Sequence, residues 1–252
     1  MGYPLETTLS PRMHHAAFKE LGIDGVYIRM PVVEERLKEA TLGLRALGFR
    51  GVNVTVPHKE RIVEHLDDIA EEVKKVGAVN TILVEDDKLV GHNTDIHGFK
   101  ESLTEYKIDI ADKDLLIIGA GGAARACACV LHSMTPRRFI VTDTILERAR
   151  VVSNLFDAEI VAHDKIEDIV PEMDVVINAT PADLQEVTLP VMKRGAVYYD
   201  MNYKFRTLKR EDIKIVNGLL MLVLQGASSF RLWTGKGAPI EVMKKAVGFK
   251  ND

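Results

Sequence analysis

Asp114-Leu-Leu-Ile-Ile118 runs directly into Gly119-Ala-Gly-Gly-Ala-Ala124, and the fold of the chain turns on that junction. A short apolar strand, a run of glycines and then a helix to about Ser133 make the phosphate-binding turn of a dinucleotide-binding α/β domain. Gly119 permits the tight turn, and Gly121 lets the backbone approach a pyrophosphate. The helix behind them offers unpaired N–H groups and the positive end of its dipole. Ala124 stands where a third glycine is common and is still small enough for close helix–strand packing. Gly119, Ala120, Gly121, Gly122 and Ala123 are therefore the candidate phosphate contacts. Asp143 follows the next strand, residues 139–142, roughly 20 residues on, where the acidic partner of the adenosine ribose belongs. Its carboxylate can accept both ribose hydroxyls and would repel a 2′-phosphate, so the expectation is NAD in preference to NADP. Asp143 is also a good N-cap for the helix beginning near Ile145, and both roles can hold at once. Arg148, about one turn into that helix, is the basic residue best placed to oppose the preference, since Arg137 and Arg138 belong at the strand's far end.

Downstream, a helix over 147–156, a strand near Ile160 and strands over 174–178 and 196–199 continue the alternation. That order signals a parallel sheet covered by helices on both faces. Upstream, residues 11–21 read as a helix closed by Gly22, residues 25–30 (GVYIRM) as a strand, and residues 34–47 as a helix with Leu37, Ala40, Leu44 and Leu47 at helical spacing. Residues 51–56 alternate as a strand stopped by Pro57, which should begin a helix with Lys59 in its first turn. Two short helices follow. Residues 79–85 and 88–92 make a hairpin turning at Asp86-Asp87, and residues 95–106 look helical. The closing helices are 218–231 and 240–247. The fold class is thus α/β in two domains: residues 1–107 plus 218–252 as a substrate-binding catalytic domain, and residues 108–217 as a Rossmann-like NAD(P)-binding domain. The substrate site is expected in the cleft between them.

The 252 residues suffice for two modest cores. With 46% hydrophobic and 28% charged residues the composition is that of a globular protein. A formal charge of −4 leaves no basic excess for nucleic acid or an anionic membrane. No apolar run is long enough to span a bilayer, and Met1-Gly2-Tyr3-Pro4 has no secretory-signal character. Cys127 and Cys129 are spaced to face different sides of a helix, as small buried or half-buried residues of a reducing cytosol. A cytoplasmic chain, monomer or homodimer, acting on a small molecule is the expectation. No His/Cys cluster suggests a metal.

Three further segments look like parts of one active site: Asn53-Val-Thr-Val-Pro-His-Lys59, Gly77-Ala-Val-Asn-Thr81 and Gly91-His-Asn-Thr-Asp95. Taken singly, Lys59 could be a solvated surface lysine, the second segment a turn, and Asp95 an N-cap. Their order resembles that of the shikimate dehydrogenase family. The resemblance runs end to end, through Thr8-Leu-Ser-Pro11 with His14, Asp200 with Tyr203, Val216-Asn-Gly-Leu219 and Gln225-Gly-Ala227.

The resemblance implies a reversible NAD(P)-dependent reduction of 3-dehydroshikimate to shikimate, on the route to chorismate and the aromatic amino acids. It implies that Lys59 and Asp95 are the catalytic pair. By the same likeness Thr8, Ser10 and Tyr203 hold the substrate carboxylate, and Asn53, Thr55, Asn80 and Gln225 surround the ring and its hydroxyls. Thr180 and Gly218 join the cofactor contacts. The assignment is chemically sensible, because hydride transfer to a ketone builds negative charge on its oxygen and a nearby cationic proton donor lowers the barrier. Several positions depart from the family pattern. Thr8 replaces serine, Ala182-Asp-Leu184 replaces Gly-Met, Leu220 replaces a glycine, and Phe205 replaces a proline. Thr142-Asp143-Thr144 stands in place of the Asn-Arg-Thr segment that recognises the NADP phosphate, and the family's opening strand ahead of Gly-x-Pro is not seen. Thr8 and Asp143 lean toward the NAD-using quinate/shikimate dehydrogenases. Leu220 and the missing strand lean toward a weakly catalytic, metabolite-sensing paralogue, against which stand both Lys59 and Asp95.

Overall fold

The computed structural model describes residues 1–205 and 207–250. It divides into two compact units: Met1–Phe99 with the chain from Leu220 onward, and Lys100–Leu219. No helix among the described residues is long and apolar enough to cross a membrane.

The first unit is built on a four-stranded mixed sheet of β1 (Gly51–Asn53), β2 (Asp68–Ile69), β3 (Thr81–Glu85) and β4 (Lys88–His92), in the order β1-β3-β4-β2. β3 and β4 form the expected hairpin, with Glu85 opposite Lys88. Asp86 and Asp87 take positive φ values of 47° and 61°, the left-handed pair that a two-residue turn between twisted strands requires. Around the sheet stand α1 (Ser10–Glu20), α2 (Leu37–Ala46) and α3 (Glu71–Val76). α4 (Asp95–Glu105) leaves the unit along its own length. Leu37, Leu44, Val52, Ile62, Val73, Val79, Ile82 and Leu89 interlock as its core.

Three expectations fail here. Residues 25–30 form no ladder: the Tyr27 N–H goes to His15 Nε2, and the nearest bridge joins Gly2 to Pro31. Strand propensity without a neighbouring edge does not make a strand. β1 stops at Asn53 because the next donors turn elsewhere, Val54 N–H to Asn80 O and Thr55 N–H to Met1 O. Lys59 lies in a turn, and only a 3₁₀ helix, Arg61–His65, follows it.

The second unit is a six-stranded all-parallel sheet of β5 (Asp114–Ile118), β6 (Arg138–Thr142), β7 (Glu159–Ile160), β8 (Val175–Asn178), β9 (Val197–Asp200) and β10 (Lys214–Asn217). Its order is β10-β9-β8-β5-β6-β7. This is the Rossmann arrangement, in which strand order reverses at β5 and ligands bind outside the strand C-termini. β10 was not foreseen: Lys214-Ile-Val-Asn217 is too short and too polar at its ends to declare itself. It is recruited by parallel pairing with Val197–Asp200. The connections are α5 (Gly122–Ser133), α6 (Leu146–Phe156), and the short α7 (Ile166–Ile169) and α8 (Gln185–Thr188). Leu116, Ile118, Ile140, Val176 and Tyr198 are buried between the sheet and its helices. The chain closes with α9 (Leu219–Thr234) and α10 (Ile240–Val247). In the first unit α10 packs on α1, and Trp233 of α9 donates its indole N–H to Ile82 O at 2.9 Å.

Candidate active site

Four predicted residues of the first unit meet in one hydrogen-bonded cluster, each delivered by a different element. Lys59 comes from the turn after β1, Asn80 from the residue ahead of β3, Asp95 from the first position of α4, and Gln225 from the middle of α9. Lys59 Nζ donates to Asp95 Oδ2 at 2.6 Å, and both residues are buried. The lysine is brought in by its backbone: Lys59 O accepts from Val79 N, and His58 Nε2 lies 2.6 Å from Val32 O. Asn80 Nδ2 donates to the other carboxylate oxygen, Asp95 Oδ1, at 2.9 Å. Gln225 Oε1 lies 3.3 Å from the same Asn80 nitrogen, and Gln225 Nε2 donates to Leu222 O. Burial of a charged pair is costly unless each lone pair and proton finds a partner. Here the carboxylate receives an ammonium on one oxygen and an amide on the other.

Asn53 faces inward. Tyr27 Oη donates to its Oδ1 at 2.8 Å, while its Nδ2 serves Thr81 and Ser229. Thr8 and Ser10 are half-buried at the start of α1, with their hydroxyls 3.3 Å apart, and Thr55 is exposed. Tyr203 belongs to the second unit, whereas Thr8 and Ser10 belong to the first. Sequence reasoning passed over Thr81, Thr94, Ser229 and Tyr27. The two threonines lie inside the quoted motifs and could have been found there. Ser229 lies on an otherwise apolar helix and gave no signal.

In the second unit the glycine turn has the form a pyrophosphate cradle needs. Gly119 takes φ +105°, and a Cβ there would stand 3.0 Å from Thr180 Cγ2 and 3.1 Å from the Ala179 carbonyl. Gly121 caps α5 in an extended conformation, leaving the first N–H groups of that helix for an anion. Asp143 holds the turn in place, its Oδ2 accepting the Ala120 N–H and its Oδ1 the Ile145 N–H, each at 2.8 Å. The expected N-cap role is not seen, since α6 begins at Leu146 with Ile145 as its N-cap and no side-chain cap bond. Oδ1 also accepts from Thr144 Oγ1, whereas Oδ2 keeps a second lone pair. Arg137 is tied to Asp114, and Arg138 to Glu159 and Glu172, at the other end of β6.

Beyond β8, Thr180 N and Oγ1 both donate to Asn178 Oδ1. Asp200 accepts from Asn178 and Asn202. Burial pushes the Asp200 carboxyl up from the ordinary value, and the Asn202 N–H pulls it back. Asn202 Nδ2 then reaches Thr180 O at 2.8 Å. Gly218 closes this corner, for a Cβ there would lie 2.1 Å from Met201 O. Among the described residues no group of His, Cys, Asp and Glu could hold a metal.

A Rossmann sheet with a glycine turn and a carboxylate fixed after its second strand, on a chain that also carries a buried lysine–aspartate pair, defines a nicotinamide-dependent oxidoreductase. Profiles for the shikimate dehydrogenase substrate binding domain (residues 1–82), shikimate / quinate 5-dehydrogenase (residues 101–199) and the shikimate 5′-dehydrogenase C-terminal domain (residues 218–247) all match. The NADP(+) shikimate dehydrogenase of Carboxydothermus hydrogenoformans is 38% identical, over 98% of this chain and 95% of its own length. The Thermus thermophilus shikimate 5-dehydrogenase bound to NADP(H) and shikimate superposes with a TM-score of 0.87 at 33% identity, covering 98% of this chain and 96% of that one. The Listeria monocytogenes shikimate 5-dehydrogenase, bound to shikimate and NAD, gives 0.81 at 29% identity, with 98% and 94% covered. The chain belongs to the shikimate dehydrogenase family.

Proposed function

We propose that this protein interconverts 3-dehydroshikimate and shikimate with a nicotinamide dinucleotide, in the cytoplasm, as a step of aromatic amino-acid biosynthesis. The observation that carries the reading is the buried Lys59–Asp95 pair at 2.6 Å, with Asn80 donating to the aspartate and Gln225 beside Asn80, in a chain that also has a dinucleotide-type glycine turn. The first unit is the substrate-binding unit and the second holds the cofactor. The cofactor supplies or accepts a hydride; the protein handles the proton. Lys59 stabilises the charge developing on the substrate oxygen and gives it a proton, and Asp95 orients the ammonium. Thr8, Ser10 and Tyr203 bind the carboxylate. Thr55, with Asn53, Asn80 and Gln225 behind it, faces the ring hydroxyls. Gly119, Ala120, Gly121, Gly122 and Ala123 hold the pyrophosphate, and Thr180 and Gly218 border the nicotinamide side.

Within that reading the preferred cofactor is NAD, although the Carboxydothermus relative is named for NADP(+). Asp143 supports this, with its carboxylate fixed at the end of β6 while Arg137 and Arg138 are engaged elsewhere. The test is oxidation of shikimate and of quinate, each with NAD⁺ and NADP⁺, followed by absorbance of the reduced nicotinamide. Shikimate turnover is expected. Binding of shikimate without turnover would replace this reading with a metabolite sensor, and faster turnover of quinate would make the protein a quinate/shikimate dehydrogenase.

A further inference from the structure

Beneath the Lys59–Asp95 pair lie three hydroxyls that the family likeness did not bring to notice: Thr81, Thr94 and Ser229. Thr81 and Ser229 are fully buried and Thr94 nearly so. Thr81 Oγ1 is 2.8 Å from Ser229 Oγ and 3.2 Å from Thr94 Oγ1, and Thr94 Oγ1 is 3.0 Å from Ser229 Oγ. Each hydroxyl brings a single proton, and that restriction limits the directions the set can take. Asn53 can only donate from its Nδ2, so it fills the acceptor sides of Thr81 at 3.0 Å and Ser229 at 2.9 Å. Thr81 then gives its proton to Asn80 Oδ1 at 3.0 Å, and Ser229 gives its own to Thr81 at 2.8 Å or to Gln225 O at 3.1 Å. Thr94 accepts from Asn80 Nδ2 at 2.9 Å and donates onward to Ser229.

Asn80 is thereby saturated. Its oxygen accepts from the Thr94 N–H at 2.7 Å and from Thr81, and its nitrogen donates to Thr94 and to Asp95 Oδ1. An amide with all four positions engaged has a single orientation, the one that presents an N–H to the carboxylate. We propose that Thr81, Thr94 and Ser229 are positioning residues for the proton-transfer pair: their hydroxyls join Asn53 to Asn80, lock the Asn80 amide against Asp95, and so hold the aspartate where it orients Lys59. This rests on the dehydrogenase reading given above.

The experiment compares Thr81→Val, Thr81→Ser and Ser229→Ala with the parent in shikimate oxidation, alone and combined with Asp95→Asn, with thermal unfolding of each. Valine keeps the threonine's shape and removes the hydroxyl. Thr81→Val is expected to lower kcat about 10–50-fold with KM within about threefold, as for leaving buried polar partners unsatisfied. Thr81→Ser restores kcat to within about twofold, and Ser229→Ala costs about 3–10-fold on the same grounds. In the Asp95→Asn background both effects shrink to near nothing, because residues acting through one another are not additive. Full kcat in folded Thr81→Val, an effect confined to KM, or undiminished effects in the Asp95→Asn background would each overturn the proposal. If Thr81→Val does not fold, Ser229→Ala decides, since alanine suits its helical position. A parent that does not oxidise shikimate overturns the dehydrogenase reading and this inference with it. An active parent, silenced by Lys59→Ala but indifferent to the hydroxyl variants, overturns this inference alone.

Discussion

In the first unit the proposed chemistry rests on side chains: an ammonium, a carboxylate, amides and hydroxyls buried around Asp95. In the second it rests on the backbone, with a glycine at φ +105°, the N-terminal N–H groups of α5 and a second glycine pressed against Met201 O. A substrate with several hydroxyls needs directional partners at defined points, and only particular side chains supply them. A pyrophosphate needs close approach and aligned dipoles, which many small residues allow. The side-chain site is therefore intolerant of chemical change and the backbone site of added volume.

The largest expected effect tests the first half of that contrast. Lys59→Ala should lower kcat by roughly 10²–10⁴-fold, the range for a positioned proton-transfer group, while shikimate binding measured by calorimetry falls far less. Retained turnover at saturating substrate would break the assignment. Gly218→Ala tests the second half. Its new methyl would stand 2.1 Å from a backbone oxygen that cannot rotate away. A loss of about 3 kcal/mol in stability by urea denaturation is expected, with weaker cofactor binding. An unchanged midpoint would show that this corner is looser than its geometry.

A third prediction concerns the acid stability that a buried polar unit gives up. His14 is stacked on Tyr27 at 4.4 Å, and Tyr27 in turn holds Asn53. Neither ring nitrogen of His14 finds a partner among the described residues. Burial, with His15 nearby, pushes its pKa down from 6.5 to about 3. Below pH 6.5 the unfolded chain takes up a proton that the folded one refuses. The stability is thus fully present above that pH and is lost as pH falls toward 3. From pH 7 to pH 5 the loss should be about 2 kcal/mol, and His14→Leu should flatten that part of the profile. An unaltered pH dependence in the variant would place the sensitive group elsewhere. The smallest effect is in cofactor choice: Asp143→Ala should reduce the NAD⁺-over-NADP⁺ ratio of kcat/KM about tenfold, mainly by weakening NAD⁺. A ratio that does not move would leave Asp143 as a brace between Ala120 and Ile145.

What could be read along the chain follows the same division. The strand-turn-helix at Asp114–Ser133, the Asp86-Asp87 hairpin and the closing helix Ile240–Val247 declare themselves because each is local, written in periodicity and turn chemistry over a few residues. GVYIRM misled because an isolated alternating segment cannot report whether an edge is waiting for it. β10 was missed for the converse reason, since the edge that makes it a strand belongs to another segment, β9.

By itself the sequence determined the α/β class, the glycine turn with Asp143, and the identities of Lys59, Asn80, Asp95 and Gln225, since reactive groups are residue types and their order is covalent. Only the tertiary structure decided that Asn53 turns inward to Thr81 and Ser229, that Asn80 is saturated by its neighbours, and that Gly218 has no room for a side chain. The physical reason is reach. Ser229 and Asn53 are 176 residues apart in sequence and 2.9 Å apart in space. A hydroxyl's proton has a direction only when the other members of its network are present to fill its remaining positions.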